Sequence, residues 1–178
     1  MKYFFEKNEN KIIKKKWLLI GHVFLFCFLF SLFLQYQWDM LPCLYCIYIR
    51  TATLYVALLA YACYFFWHHS IIRSILSFLS LLSAFWGMMM TYQLYHLQNL
   101  DLDGFELLQY SCEFEPNFIL PWHKWFPAVF MPQSSCLEAT STFLFFPLYV
   151  WAFLQFLFLI VYLILIFYQN YRTFKSFF

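Results

Sequence analysis

Charge is what this chain has least of. Only 11% of its 178 residues are Asp, Glu, Lys or Arg, where a soluble domain carries roughly a quarter. That shortage excludes a fold wetted on every side. Apolar residues make up 64% of the chain, and 26 Phe, 14 Tyr and 7 Trp are too many to hide inside one small globule. Lipid must solvate some of them. Strand-like alternation of polar and apolar residues is missing as well, which leaves helices. Internal repeats and low-complexity linkers are also lacking, and the length suits a single membrane domain over residues 1–178. Nothing points to nucleic acid.

What is present is four long apolar segments. They run from about Trp17 to Tyr36, Ile47 to Trp67, Ile71 to Tyr95 and Phe143 to Tyr168. At ~1.5 Å per residue, about twenty residues cross the ~30 Å hydrocarbon core. Backbone N–H and C=O groups find no water there, so each segment must bond internally as a helix. The expected fold is all-α, an up-down bundle of four transmembrane helices. Its loops cover residues 37–46 and 96–142. The basic leader Lys14-Lys15-Lys16 resembles the start of a signal peptide. The apolar run behind it is too long for one, and no small-residue cleavage site follows, so an uncleaved helix is expected.

Lys and Arg in the loops set the expected orientation. Six lysines lie in residues 1–16, Arg73 marks the turn between the second and third helices, and Arg172 and Lys175 follow the fourth. The other two loops hold one lysine, Lys124, against seven acidic residues: Asp39, Asp101, Asp103, Glu106, Glu113, Glu115 and Glu138. Both termini are expected in the cytoplasm and both acidic loops outside. His68 and His69 read as an ordinary polar hairpin.

Of the six cysteines, Cys27 and Cys63 fall inside apolar helices and read as small hydrophobes. Cys43, Cys46, Cys112 and Cys136 fall in or beside the outward loops, where oxidising conditions let disulfides persist. Cys43-Leu44-Tyr45-Cys46 is a C-x-x-C at the start of the second helix, with Pro42 suited to a first turn. Unpaired N–H groups at a helix start favour thiolate, the reactive form. Arg50 follows Cys46 by four residues, on the same helical face. An arginine inside a membrane segment costs roughly 2.5–3.5 kcal/mol on insertion scales, so it usually has a task. It would favour thiolate at Cys46 or hydrogen-bond a polar ligand; otherwise it snorkels to the interface.

Cys112 and Cys136 enclose 23 residues, a spacing that implies no preformed short-range pair. Between them Trp122, Trp125, Phe126, Val129 and Phe130 follow helical spacing, with His123 and Lys124 pointing elsewhere. A short interfacial helix that tethers this loop near Cys43 and Cys46 is expected; Pro127 counts against one continuous helix, and plain loop packing is the alternative. Two other functions compete with redox chemistry. Four outward cysteines could form a Cys₄ metal site, although structural zinc prefers two short-spaced pairs. They could also be plain staples, which would leave Arg50 unexplained.

Pro42-Cys43-Leu44-Tyr45-Cys46-Ile47-Tyr48-Ile49-Arg50 closely resembles the P-C-x-x-C-x-Y-x-R signature of the DsbB family of disulfide bond formation proteins. Cys112-Glu113-Phe114, Lys124-Trp125-Phe126-Pro127-Ala128-Val129-Phe130 and Cys136 are similar to that family's second loop. Ser83-Ala84-Phe85, Gly87 and Thr91-Tyr92 resemble its third helix. The resemblance implies that Cys43 and Cys46 are the quinone-coupled pair, with Cys46 nearest the ring and Arg50 beside it. It implies that Cys112 and Cys136 exchange with a periplasmic DsbA-like thioredoxin-fold oxidase whose thiolate attacks Cys112. The electrons would pass to a membrane quinone, ubiquinone or menaquinone, along the known DsbA–DsbB–quinone route. The resident metal count would be none. The chain departs from the pattern after Thr91-Tyr92. Some family members carry a histidine there, where this chain has Gln93-Leu94, and His96 takes no transferred role. The fourth helix matches only in hydropathy and Pro147.

Overall fold

A computed structural model describes residues 2–99, 116, 118, 122–134, 142–143 and 145–175. Three long helices come first: α1 over Lys2–Gln37, α2 over Leu44–Phe65 and α3 over Ser70–Gln98. Two single turns follow, α4 over Trp122–Trp125 and α5 over Pro127–Phe130. A two-residue hairpin pairs β1, Thr142–Phe143, antiparallel to β2, Phe146–Pro147. The last helix, α6, covers Leu148–Lys175. Among the described residues, four helical stretches are long and apolar enough to cross a membrane: Ile12–Gln37, Leu44–Phe65, Ser70–Gln98 and Leu148–Ile166. The protein is an all-α, four-helix membrane protein.

The helices pack in chain order, α1 on α2, α2 on α3 and α3 on α6. Small residues make the close approaches possible, because association inside lipid depends on van der Waals fit rather than on the hydrophobic effect. Ala52, Ala57 and Ala60 are fully buried on α2. On α3 the buried residues are Ser77, Ser80, Ala84, Gly87, Thr91, Leu94 and Leu97, a run of three- and four-residue steps along one face. A Cβ at Gly87 would run into the Phe156 ring of α6. Glycine there is a packing requirement. The core joins Trp17, Ile20 and Phe24 of α1 to Val56 of α2 and to Phe156, Leu159 and Leu163 of α6. The outward faces carry Leu29, Phe33, Phe78, Leu82 and Leu165, all exposed. Such a surface is stable only against lipid.

The starts of α2 and of the fourth helix differ from the hydropathy reading, each for a local reason. Helix α2 starts at Leu44 rather than Ile47, because the Cys43 side chain caps it by accepting from the Cys46 N–H. Pro42 therefore precedes the cap instead of sitting in the first turn. The fourth helix starts at Leu148 rather than Phe143. Thr142–Phe143 first pairs antiparallel with Phe146–Pro147, with Phe145 at φ 70°, as a tight hairpin demands. The short loop helix is split in two at Phe126, before Pro127. One consequence is that its apolar face is divided. Phe130 is buried, while Trp125 and Phe126 are exposed.

Candidate functional site

The Cys43 end of α2 is built by a cap. Cys43 takes extended geometry, φ −83° and ψ 174°, and its sulfur accepts from the Cys46 backbone N–H at 3.3 Å. One turn of helix then brings the two sulfurs to 2.8 Å, Cys43 Sγ donating to Cys46 Sγ. Cys43 is fully buried and Cys46 half-buried. The geometry suits a pair that opens and closes, because the backbone need not move for the sulfurs to meet.

Arg50 does not snorkel. It is 7% exposed and spends four hydrogen bonds on protein. Nε donates to Ser31 Oγ at 3.1 Å, and Nη2 to the Ser31 carbonyl at 3.3 Å. Nη1 donates to Gln35 Oε1 at 2.6 Å and to the Val129 carbonyl at 3.1 Å. A guanidinium offers five N–H donors in a fixed fork. The remaining Nη2 hydrogen has no partner among the described residues. The desolvation cost of a buried cation is met here by neutral oxygens aimed at it from α1 and from α5.

The second loop is fastened to the same place. The Ala128 carbonyl accepts from Tyr36 Oη at 2.7 Å and from Gln35 Nε2 at 3.4 Å. Trp122 Nε1 donates to the Tyr55 hydroxyl at 2.9 Å. The Gln133 N–H donates to the Pro42 carbonyl at 2.9 Å, and the Ser134 hydroxyl to the Leu41 carbonyl at 2.9 Å. Phe118 stacks edge-on against both Tyr48 and Phe130. The carbonyls of Ala128 and Val129 close a helix of one turn and have no intrahelical partner to use. Tyr36, Gln35 and Arg50 supply the missing donors.

Cys46 and Arg50 line a cavity of about 500 Å³. Its walls are α1, the α1–α2 loop, α2, Leu94 of α3 and the first turns of α6, with Phe30, Leu34, Met40, Ile49, Trp151 and Phe158 among the apolar side chains. Phe24 of α1 meets Phe156 of α6 at 6.3 Å between ring centroids. The polar groups facing the cavity are few: Ser31, Cys46, Arg50, Thr53, Tyr149 and Gln155. A flat apolar ring with a hydrocarbon tail matches such a lining. Among the described residues, no group of three or more His, Cys, Asp or Glu could hold a metal.

Of the residues singled out in the sequence, Cys43, Cys46 and Arg50 come together here. Cys112 and Cys136 lie outside the described residues. Ser31, Gln35, Tyr36, Thr53 and Gln155 carry no motif and escape a reading by motif. A signal was available for most of them, since a polar side chain deep in an apolar helix costs free energy and usually has a partner or a ligand.

Residues 14–166 match the family described as disulfide bond formation protein DsbB. Three relatives, each called disulfide bond formation protein B, agree with that match. The one from Pseudoalteromonas translucida is 31% identical over 122 residues, covering 67% of this chain and 69% of the relative. That from Pasteurella multocida is 29% identical over 174 residues, 97% of this chain and 94% of its own length. That from Haemophilus influenzae is 33% identical over 117 residues, 61% and 60% of the two chains. With its four apolar helices, the chain therefore belongs to the DsbB family, as a multi-pass bacterial inner-membrane oxidoreductase of disulfide bond formation.

Proposed function

We infer that this protein regenerates the disulfide of a periplasmic DsbA-like thioredoxin-fold oxidase and delivers the electrons to a membrane quinone, ubiquinone or menaquinone. One observation carries that reading. The Cys43 and Cys46 sulfurs meet beside an apolar cavity onto which Cys46 and Arg50 both face.

The exchange runs in two stages. The partner's thiolate attacks Cys112 of a Cys112–Cys136 disulfide, and the partner leaves oxidised with both loop sulfurs reduced. The loop pair then exchanges with a Cys43–Cys46 disulfide, which re-forms Cys112–Cys136 and leaves Cys43 and Cys46 as the dithiol. Closing that last pair releases two electrons and two protons. A quinone held in the cavity supplies the acceptor for both. The bonds from Gln133 and Ser134 to Pro42 and Leu41 support the inter-loop stage. They hold the chain that leads to Cys136 against the chain that leads to Cys43. One Arg50 N–H without a partner among the described residues can donate to a ring oxygen, and the guanidinium charge favours the negative charge that develops there. Lys and Arg near the termini and at Arg73 support cytoplasmic termini, with both redox loops in the periplasm.

The test uses purified protein, a reduced thioredoxin-fold oxidase and a short-tailed quinone. One quinone should be reduced for each partner disulfide formed. Partner thiols that stay reduced, or that oxidise equally fast without quinone, would sink this function.

A further inference from the structure

Two polar side chains face the cavity from different helices and are bonded to each other. Gln155 Nε2 of α6 donates to Thr53 Oγ1 of α2 at 2.9 Å. The Thr53 hydroxyl spends its only hydrogen on the Ile49 carbonyl, at 2.9 Å. Its oxygen can therefore only accept from Gln155, and that decides which end of the amide is nitrogen. The second Nε2 hydrogen and the Oε1 atom of Gln155 have no partner among the described residues. An amide with unspent groups is expensive in so apolar a helix, and polar groups at that depth mark ligand sites. Ser31, by contrast, is spent: its hydroxyl donates to the Phe28 carbonyl and its oxygen accepts from Arg50.

Position narrows the ligand group. Thr53 follows Arg50 by three residues, so it lies about 4.5 Å further along the α2 axis on nearly the same face. The cavity is thus polar at two levels, at Arg50 beside Cys46 and one turn deeper at Thr53 and Gln155. A quinone carries two oxygens on opposite edges of a flat apolar ring. We propose that Gln155, held by Thr53, is the specificity-determining residue for the quinone's second ring oxygen, the one remote from Arg50. This rests on the quinone function inferred above. An amide suits both redox forms, because its N–H donates to a carbonyl and its Oε1 accepts from the hydroxyl of the reduced ring. No bond is made or broken at Gln155, which orients the ring and selects it.

The test is equilibrium binding of a short-tailed ubiquinone to the purified, oxidised protein, read by quenching of tryptophan fluorescence; Trp151 lines the cavity. Gln155→Met keeps the length of the side chain and removes the amide. It should raise Kd about tenfold, the scale of one hydrogen bond made away from water. Thr53→Val, which removes the acceptor that orients the amide, should raise Kd several-fold, and Thr53→Ser should not. The Gln155→Met penalty should vanish for a tail-matched ring bearing a single carbonyl, a difference that a merely structural role would not produce. Gln155→Met and Thr53→Val proteins that bind within twofold of the parent, while Arg50→Met binds weakly, would overturn the role of Gln155 and leave the cavity's function standing. A parent protein with no saturable quenching would overturn both. If Gln155→Met does not fold, Thr53→Val against Thr53→Ser decides.

Discussion

Arg50 Nη1 donates to the backbone carbonyl of Val129 at 3.1 Å, so the arginine beside the Cys43–Cys46 pair also holds the second loop. The same nitrogen bonds Gln35 on α1. One side chain thereby joins two transmembrane helices and a loop segment, and it still faces the cavity. Substituting it disturbs loop docking and ligand binding together. A change confined to quinone use is not the expected result.

Arg50→Met leaves the Gln35 and Val129 oxygens and both Ser31 acceptors without their donor, at roughly 1–3 kcal/mol for each that stays dry. Lys124 is the one Lys or Arg in residues 96–142, so trypsin cleavage there reports how tightly the loop is held. Arg50→Met should speed that cleavage about tenfold or more, and should slow quinone-dependent turnover by about tenfold to a hundredfold. Arg50→Lys should recover part of each, since one ammonium cannot reproduce the fork. Cleavage at the parent rate in Arg50→Met would show that the Val129 bond contributes nothing to docking.

Tyr36→Phe separates the two tasks. It deletes the 2.7 Å bond to the Ala128 carbonyl from a residue that does not line the cavity. A single neutral hydrogen bond is worth about 1 kcal/mol. Cleavage at Lys124 should therefore rise about fivefold, while the KM for quinone stays put. A raised KM with unchanged cleavage would reverse the assignment.

Cys43 has a structural task besides its redox one, as the cap of α2. Serine is among the best N-caps and alanine among the poor ones, a difference of about 1 kcal/mol. Cys43→Ser should keep the melting temperature of the parent and lose turnover entirely. Cys43→Ala should lose turnover and also melt earlier. Equal melting temperatures for the two variants would deny the cap any energetic weight.

Gly87→Ala would press a methyl group into the Phe156 ring. Overpacking of this kind costs about 1–3 kcal/mol, and Tm falls by roughly 2–4 °C per kcal/mol in chains of this size. The Phe156→Leu change should relieve the strain, so the double variant should melt above Gly87→Ala. A Gly87→Ala protein as stable as the parent would mean that α3 and α6 slide apart at no cost.

Orientation is checked by labelling. A membrane-impermeant thiol reagent applied to intact cells should reach a cysteine placed at Lys124. It should miss one placed at Arg73. Labelling at Arg73 from outside would invert the topology.

The sequence alone determined the class of molecule, the four apolar spans and the C-x-x-C with its arginine. Each of these is local. Transfer into lipid depends on the composition of about twenty consecutive residues, and a C-x-x-C on one helix start needs no distant partner. Helix ends were less legible, because a cysteine cap at Cys43 and a hairpin at Phe145 are matters of backbone geometry rather than hydropathy. What only the tertiary structure decided is where Arg50 spends its donors and what shares its cavity. Gln35, Val129 and Ser31 lie 15, 79 and 19 residues from Arg50 in the chain, and Gln155 lies 102 from Thr53. Which polar groups meet is set by which helix faces approach, and that is set by small residues such as Ala52, Ala57 and Gly87 along the seams. Hydropathy scores a helix as in or out of lipid, and it does not say which of its sides another helix will cover.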